Sequence, residues 1–158
     1  MSPENETAAP TEKGEMKTLE LEVAFGDCDP AGIVFYPNYF KWFDQATWRL
    51  FTSVGLTLQV LSKRYKLVGH PLVKAGIVFS APATVGDRLT VFSRVARWGN
   101  RSFEVAHRIV KSDGRVAVEG SETRVMAMVD PEAPSGMRAI RIPDEIIARL
   151  GGIRDQAG

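Results

Sequence analysis

A single cysteine, Cys28, among 158 residues excludes an intrachain disulfide, and with it the small secreted domain that depends on such staples. The only two histidines, His70 and His107, stand far apart with no Cys or His neighbour at ligand spacing, so no metal site of the zinc kind is encoded. A Gly-rich phosphate loop and a Gly-x-Ser-x-Gly elbow are both missing. Charge of one sign is missing too. Twenty Lys and Arg against nineteen Asp and Glu leave a net +1, too little to draw in nucleic acid or a membrane surface. No apolar run approaches the roughly 20 residues that cross a bilayer. The opening stretch MSPENETAAPTEKGEMK lacks the basic-then-apolar order of a signal peptide. A cytoplasmic protein is the default expectation, and its chemistry must rest on carboxylates and helix ends.

What is present is an ordinary globular composition, 44% hydrophobic and 25% charged, with enough length for one core. Residues 1–16, rich in Pro, Glu, Thr and Ser, read as a disordered tail. Residues 17–150 read as one domain and 151–158 as a flexible end. TLELEVAF (18–25) alternates with the two-residue period of a half-buried strand. YPNYFKWFDQATWRLFTSVG (36–55) follows as a helix, with Pro37 suited to its first turn and Gly55 to its stop. Apolar side chains spread round most of its circumference, so it has to be covered on most sides.

A short amphipathic segment at 58–68 is a possible second helix. Four strand candidates come next, at 70–82, 87–98, 101–112 and 114–130, with turn signals GN (99–100) and SDGR (112–115) between the last three. PDEIIARLGG closes the chain as a short helix. One strand, a long apolar helix and about four strands in an antiparallel meander fit a single sheet curled around that helix. The outer edge or face of such a sheet has to be hidden as well, which argues for an oligomer.

The stretch FGDCDPAGIVFYPNYFKWFD (25–44) concentrates the available chemistry. Asp27 and Asp29 lie where a strand gives way to a helix start at about Tyr36, with its free N–H groups and positive dipole end. A carboxylate close to a carbonyl held by such donors is equipment for acyl transfer, as nucleophile or as base for water. The competing reading is local: Asp residues in such a turn commonly make Asx turns and caps. Cys28 has no cation beside it to lower its pKa and reads as a packed side chain.

The pattern Asp-x-Asp-x-x-Gly-x-Val-aromatic-Tyr-x-x-Tyr closely resembles the active-site segment of the 4-hydroxybenzoyl-CoA thioesterase family. The similarity continues through GHPLV, W-x-x-RSF and MRAIRIP, covering most of residues 20–143. The resemblance implies an α+β hot-dog fold, a curved antiparallel sheet of about five strands wrapped around one long central helix. It implies dimers with a continuous sheet, commonly paired into tetramers, and active sites at the dimer interface. It makes Asp29 the catalytic carboxylate and the Tyr36 backbone N–H the group that binds the thioester carbonyl. No metal or cofactor is used, coenzyme A being part of the substrate.

The resemblance further places Asp44, with Tyr39 and Trp42, at the acyl end of the pocket. Buried in so aromatic a helix, Asp44 needs a hydrogen-bond partner, either a ring substituent of the acyl group or a group within the protein. His70 stands where a family member has threonine, and either shapes the acyl pocket or is structural. Arg101 and Arg138 match positions that hold the CoA phosphates, while Gly99 and Asn100 stand where the relative is basic. The implied activity is hydrolysis of an aromatic, hydroxybenzoyl-type CoA thioester, a step of aromatic degradation. A short-chain aliphatic acyl-CoA thioesterase and a non-catalytic acyl-CoA-binding module are the alternatives. A dehydratase of the same fold needs a helix histidine, and none lies between 36 and 54.

Overall fold

The computed structural model describes residues 12–156 of the chain. The alternation of MKTLELE forms β1 (Met16–Glu22), with Leu19 turned into the core. The strand stops short of residue 25 because Asp27 Oδ2 accepts from the Ala24 N–H at 2.8 Å, capping a single 3₁₀ turn, Phe25–Asp27. The central helix α1 (Pro37–Thr52) begins on its proline, where the missing N–H forfeits no helical bond. α2 (Leu58–Tyr65) is capped by Thr57, whose hydroxyl accepts from Val60 N at 3.2 Å. The strands β2 (Leu72–Phe79), β3 (Arg88–Trp98), β4 (Ser102–Lys111) and β5 (Val116–Val125) follow, then a small hairpin of β6 (Ala127–Val129) and β7 (Met137–Ala139), and finally α3 (Asp144–Arg149).

The five long strands make one antiparallel sheet in the order β1-β3-β4-β5-β2. This corrects the expected meander: β2 pairs with β5 at the far edge instead of with β3, which pairs with β1. Tight turns join only β3 to β4 and β4 to β5, and the longer connection at 80–87 lets β2 sit elsewhere. The expected single strand over 114–130 is broken at Met126, where the chain leaves the sheet to pair with β7.

α1 lies in the concave face of this sheet and buries Tyr39, Trp42, Phe43, Ala46, Thr47, Leu50 and Phe51. Phe43 packs with Val91, Ile109 and Val118 under one half of the sheet, and Phe51 with Phe103, Met126 and Ile146 under the other. No helix among the described residues is long and apolar enough to cross a membrane.

Of the expected N-terminal tail, residues 1–11 lie outside the described residues. Within the rest, Glu12 pairs with Arg94 and Glu15 with Arg108. At the other end, residues 157–158 of the expected flexible tail lie outside the described residues, and Arg154 and Asp155 are bonded to the body of the domain. Arg154 Nη1 donates to the carbonyls of Gly99 (2.7 Å) and Asn100 (2.9 Å), and Asp155 N to the Trp98 carbonyl at 2.8 Å. These bonds tie the segment to the β3–β4 turn.

One glycine makes room for the central contact between helix and sheet. A Cβ on Gly120 of β5 would lie 2.5 Å from the Gly76 carbonyl oxygen and 2.6 Å from Phe43 Cε2. The vacant space lets the Phe43 ring stack on His107 of β4, opposite Gly120 in the ladder, with centroids 4.5 Å apart and planes at 12°. Gly→Ala in an unstrained, uncrowded site usually stabilises by restricting the unfolded chain. Here Gly120→Ala should instead destabilise by about 1–3 kcal/mol, the scale of an overpacked core, as read from chemical denaturation.

Candidate active site

Asp29 opens a tight turn. Gly32 N donates to the Asp29 carbonyl at 2.9 Å and Gly32 has φ +79°, a left-handed conformation that a Cβ would strain. Asp29 N in turn donates to the Ile33 carbonyl at 2.9 Å, and Cys28 and Val34 bridge in antiparallel fashion. The Asp29 side chain makes the local bond expected of such a turn, Oδ1 accepting from Ala31 N at 2.8 Å. Its Oδ2 has no partner among the described residues. Asp27 points elsewhere: beyond its cap on Ala24, its carbonyl accepts from Phe35 N and Asn38 Nδ2, both at 2.8 Å. Asp27 therefore anchors the loop to the start of α1, and the two acids diverge.

Asp29 and Tyr36 share a hollow of about 410 Å³, whose lining includes Ile33, Tyr39, Phe79 and Pro82. The Tyr36 backbone N–H, at the N-cap of α1, has no acceptor among the described residues. Tyr39 is buried at the wall, and burial pushes its hydroxyl up to about 12, so it stays protonated near neutrality. Trp42 needs correction: it is a core residue edge-on to Tyr39, centroids 5.4 Å apart, and lines neither this hollow nor the next.

Asp44 and His70 belong to a second hollow, of about 360 Å³, with Trp48, Leu72, Arg124 and Met137. Asp44, expected to be buried among aromatics, has a side chain 54% exposed in the single chain. Its Oδ1 accepts from Arg124 Nη2 at 2.8 Å, and its Oδ2 has no partner among the described residues. His70 is 2% exposed and flanked by Trp48 and Phe51, with ring centroids 4.1 and 4.6 Å away. Arg124 Nη1 donates to the His70 carbonyl at 3.2 Å and lies 3.3 Å from Nδ1. Arginine has no acceptor, so Nδ1 is unprotonated and Nε2 carries the hydrogen.

A chain of buried polar groups continues from Arg124 through the sheet, and the sequence reading did not find it. Arg124 Nε donates to Glu122 Oε2 at 2.6 Å, with Nη2 closing a second bond to the same oxygen. Glu122 Oε1 accepts from His107 Nε2 (3.0 Å) and Thr47 (3.2 Å), and His107 Nδ1 lies 2.8 Å from the Ser93 hydroxyl. The period-two alternation could have revealed it: Val118, Gly120, Glu122 and Arg124 share one face of β5, and Val118 is core. Burial alone would raise the Glu122 carboxyl, but the bonds from His107 and the Arg124 guanidinium hold it below the usual value.

Arg101 is exposed at the start of β4, its side chain without a partner among the described residues. Arg138 on β7 is exposed and loosely paired with Asp130 at 3.7 Å. Both lie at the Asp44 end of the sheet, since Arg101 O accepts from Met126 N and Arg138 pairs with Met128. Among the described residues no group of three His, Cys, Asp or Glu could hold a metal ion.

The thioesterase-like superfamily profile matches residues 23–150. The chain belongs to that family. Its members are thioester hydrolases, and this chain is 35% identical over 136 residues to the 4-hydroxybenzoyl-CoA thioesterase of Pseudomonas sp. strain CBS-3, covering 82% of this chain and 94% of that one. The solved structure of that thioesterase superposes with a TM-score of 0.79 over 85% of this chain and 98% of its own. A gentisyl-coenzyme A thioesterase, 33% identical, gives 0.72 over 84% of this chain and 98% of its own. The hot-dog fold of the family is thus the fold observed here.

Burial lowers both histidines of this thioesterase-family chain, His70 to about 4, with the Arg124 charge adding to the effect there. The unfolded chain takes up these protons below about pH 6.5, while the folded chain resists until much lower pH. The stability involved is therefore complete above pH 6.5 and lost as pH falls towards 4. For His70 alone the loss amounts to roughly 3 kcal/mol. Urea denaturation between pH 7 and pH 4 should show this decline, and a flat profile would contradict the neutral, buried state of His70.

Proposed function

We propose that the chain hydrolyses an aromatic acyl-CoA of the hydroxybenzoyl type to the free acid and CoA, in the cytoplasm and as an oligomer. The observation that carries this reading is the pairing, in one hollow, of a carboxylate with one oxygen free and a helix-start N–H without an acceptor. A thioester carbonyl seated on the Tyr36 N–H gains from the positive end of α1 as its oxygen becomes negative. Asp29 Oδ2 then either takes a proton from water as the water attacks, or attacks the carbonyl itself to give a mixed anhydride that water opens. Collapse expels the CoA thiolate, which picks up a proton.

The aromatic preference rests on Asp44. Its free Oδ2 in a partly apolar hollow favours an acyl group that ends in a hydrogen-bond donor, such as a phenolic hydroxyl, over a plain alkyl chain. Within one chain, however, Asp29 and Asp44 serve opposite ends of β2. Phe79 lines the Asp29 hollow and Leu72 the other, about 23 Å apart along the strand. No single acyl group spans that distance.

A two-fold partner resolves the separation. β2 is an edge strand, and Leu72, Val73, Val78 and Phe79 on it are each more than half exposed. Antiparallel pairing of β2 with its copy would cover this surface and the free edge. It would also set the Asp29 hollow of one protomer beside the Asp44 hollow of the other, with Arg101 and Arg138 at that same end to meet the CoA phosphates.

Asp29→Asn should lower kcat on hydroxybenzoyl-CoA by about 10²–10⁴, the usual range for a lost base. Turnover near wild type would remove Asp29 from the chemistry. A wild type that turns over short aliphatic acyl-CoAs better than aromatic ones would replace the acyl assignment, and no turnover on either would favour a binding module. By sedimentation, wild type at micromolar concentration should be a dimer or larger, and a monomer that retains full activity would exclude the composite site.

A further inference from the structure

Arg124 lines the second hollow, and the proposed reaction does not yet use its placement. It is 5% exposed as a side chain, sits on the concave face of β5, and reaches three separate elements. Its Nη2 holds Asp44 on α1, its Nη1 holds the carbonyl of His70 just before β2, and its Nε and Nη2 bind Glu122 beside it on β5. The guanidinium is planar and always charged, so these three directions are fixed relative to one another. Glu122 is fixed in turn by His107 and Thr47, which come from β4 and α1. Asp44 alone among these groups is largely exposed, and its bond to Arg124 is the only side-chain hydrogen bond it makes among the described residues.

From this geometry we infer that Arg124 is a positioning residue for acyl recognition. It pins Asp44 through Oδ1 so that Oδ2 alone is presented to the hollow, as an acceptor for a donor on the acyl ring. Without it, Asp44 is an exposed side chain on a helix surface, free to change rotamer, and a ring hydroxyl meets no fixed acceptor. The inference rests on the proposed aromatic-acyl reading and assigns the part of that selectivity which Asp44 cannot supply alone. Arg124 never touches the substrate and acts only through Asp44.

The test is the ratio of kcat/KM on 4-hydroxybenzoyl-CoA to kcat/KM on benzoyl-CoA, which differ only in the ring hydroxyl. Wild type should favour the hydroxylated substrate. Arg124→Gln should reduce the ratio by about tenfold or more, the scale of one charge-assisted hydrogen bond. Because the effect runs through Asp44, Arg124→Gln added to Asp44→Asn should leave the ratio where Asp44→Asn alone puts it. A ratio unchanged by Arg124→Gln, or an equal loss on both substrates, overturns the positioning role, as does a further fall in the double variant.

If Arg124→Gln does not fold because Glu122 is left unpaired, Glu122→Met/Arg124→Met removes both buried charges together and reads the same ratio. A wild-type ratio in that variant also overturns the inference. A wild type without preference between the two substrates sinks the aromatic-acyl reading and this inference together. That result is distinct from a wild type that discriminates and an Arg124 variant that still does.

Discussion

The ion pair between Glu122 and Arg124 is the interaction on which most of this arrangement depends. Withdrawing two charges from water costs several kcal/mol for each, and their attraction recovers this only when the remaining donors and lone pairs are satisfied. Glu122 is 2% exposed, so the surroundings must supply every partner. They do so from different elements: Thr47 from the middle of α1, His107 from β4, Asp44 from one turn earlier on the helix, and the His70 carbonyl from the chain entering β2. The central helix is thus fixed against the sheet by directional bonds as well as by apolar contact. Apolar packing alone would tolerate a small slide or rotation.

That constraint explains the surroundings of the pair. His107 must carry a hydrogen on Nε2, because a carboxylate only accepts. Its ring is the plate on which Phe43 stacks, and the absence of a side chain at Gly120 gives Phe43 its place. Phe43 and Asp44 are consecutive on α1, so the residue that fixes the helix by packing adjoins the one held by charge. Locking the middle of the helix also fixes its N-terminus, a little over two turns away by roughly 12 Å of axial rise. There the Tyr36 N–H and the Asp29 turn are found.

How much of this was legible in the sequence differs by kind. The strand and helix periods and the turn glycines were readable because they are local, and so was the placing of a carboxylate close to a helix start. The sheet order was not: nothing local in 70–82 says that β2 pairs with β5, since that partner is set by how the sheet closes round α1. The burial of Asp44 was misjudged because its aromatic neighbours along the chain, Trp42 and Phe43, turn into the core while it turns outward. Glu122 and Arg124 stand in a polar segment, and only the face they share with Val118 betrays their burial. Buried charge defeats a reading by composition because each of its partners comes from elsewhere in the chain.

The settings of Asp29 and Asp44 differ in the way their proposed roles differ. The one side-chain bond of Asp29 among the described residues is to a neutral backbone N–H, and in the proposed reaction its second oxygen takes a proton or reaches a carbonyl carbon. A guanidinium on that carboxylate would weaken it as base and as nucleophile, because the cation stabilises the ionised form that must be given up. Asp44 has the opposite setting, one oxygen bound to Arg124 and the helix fixed beneath it. A carboxylate tied in this way is poorly placed to react and well placed to measure the position of a donor. In the proposed dimer the two meet across the paired β2 strands, so that each protomer would contribute the reacting acid to one site and the recognising acid to the other.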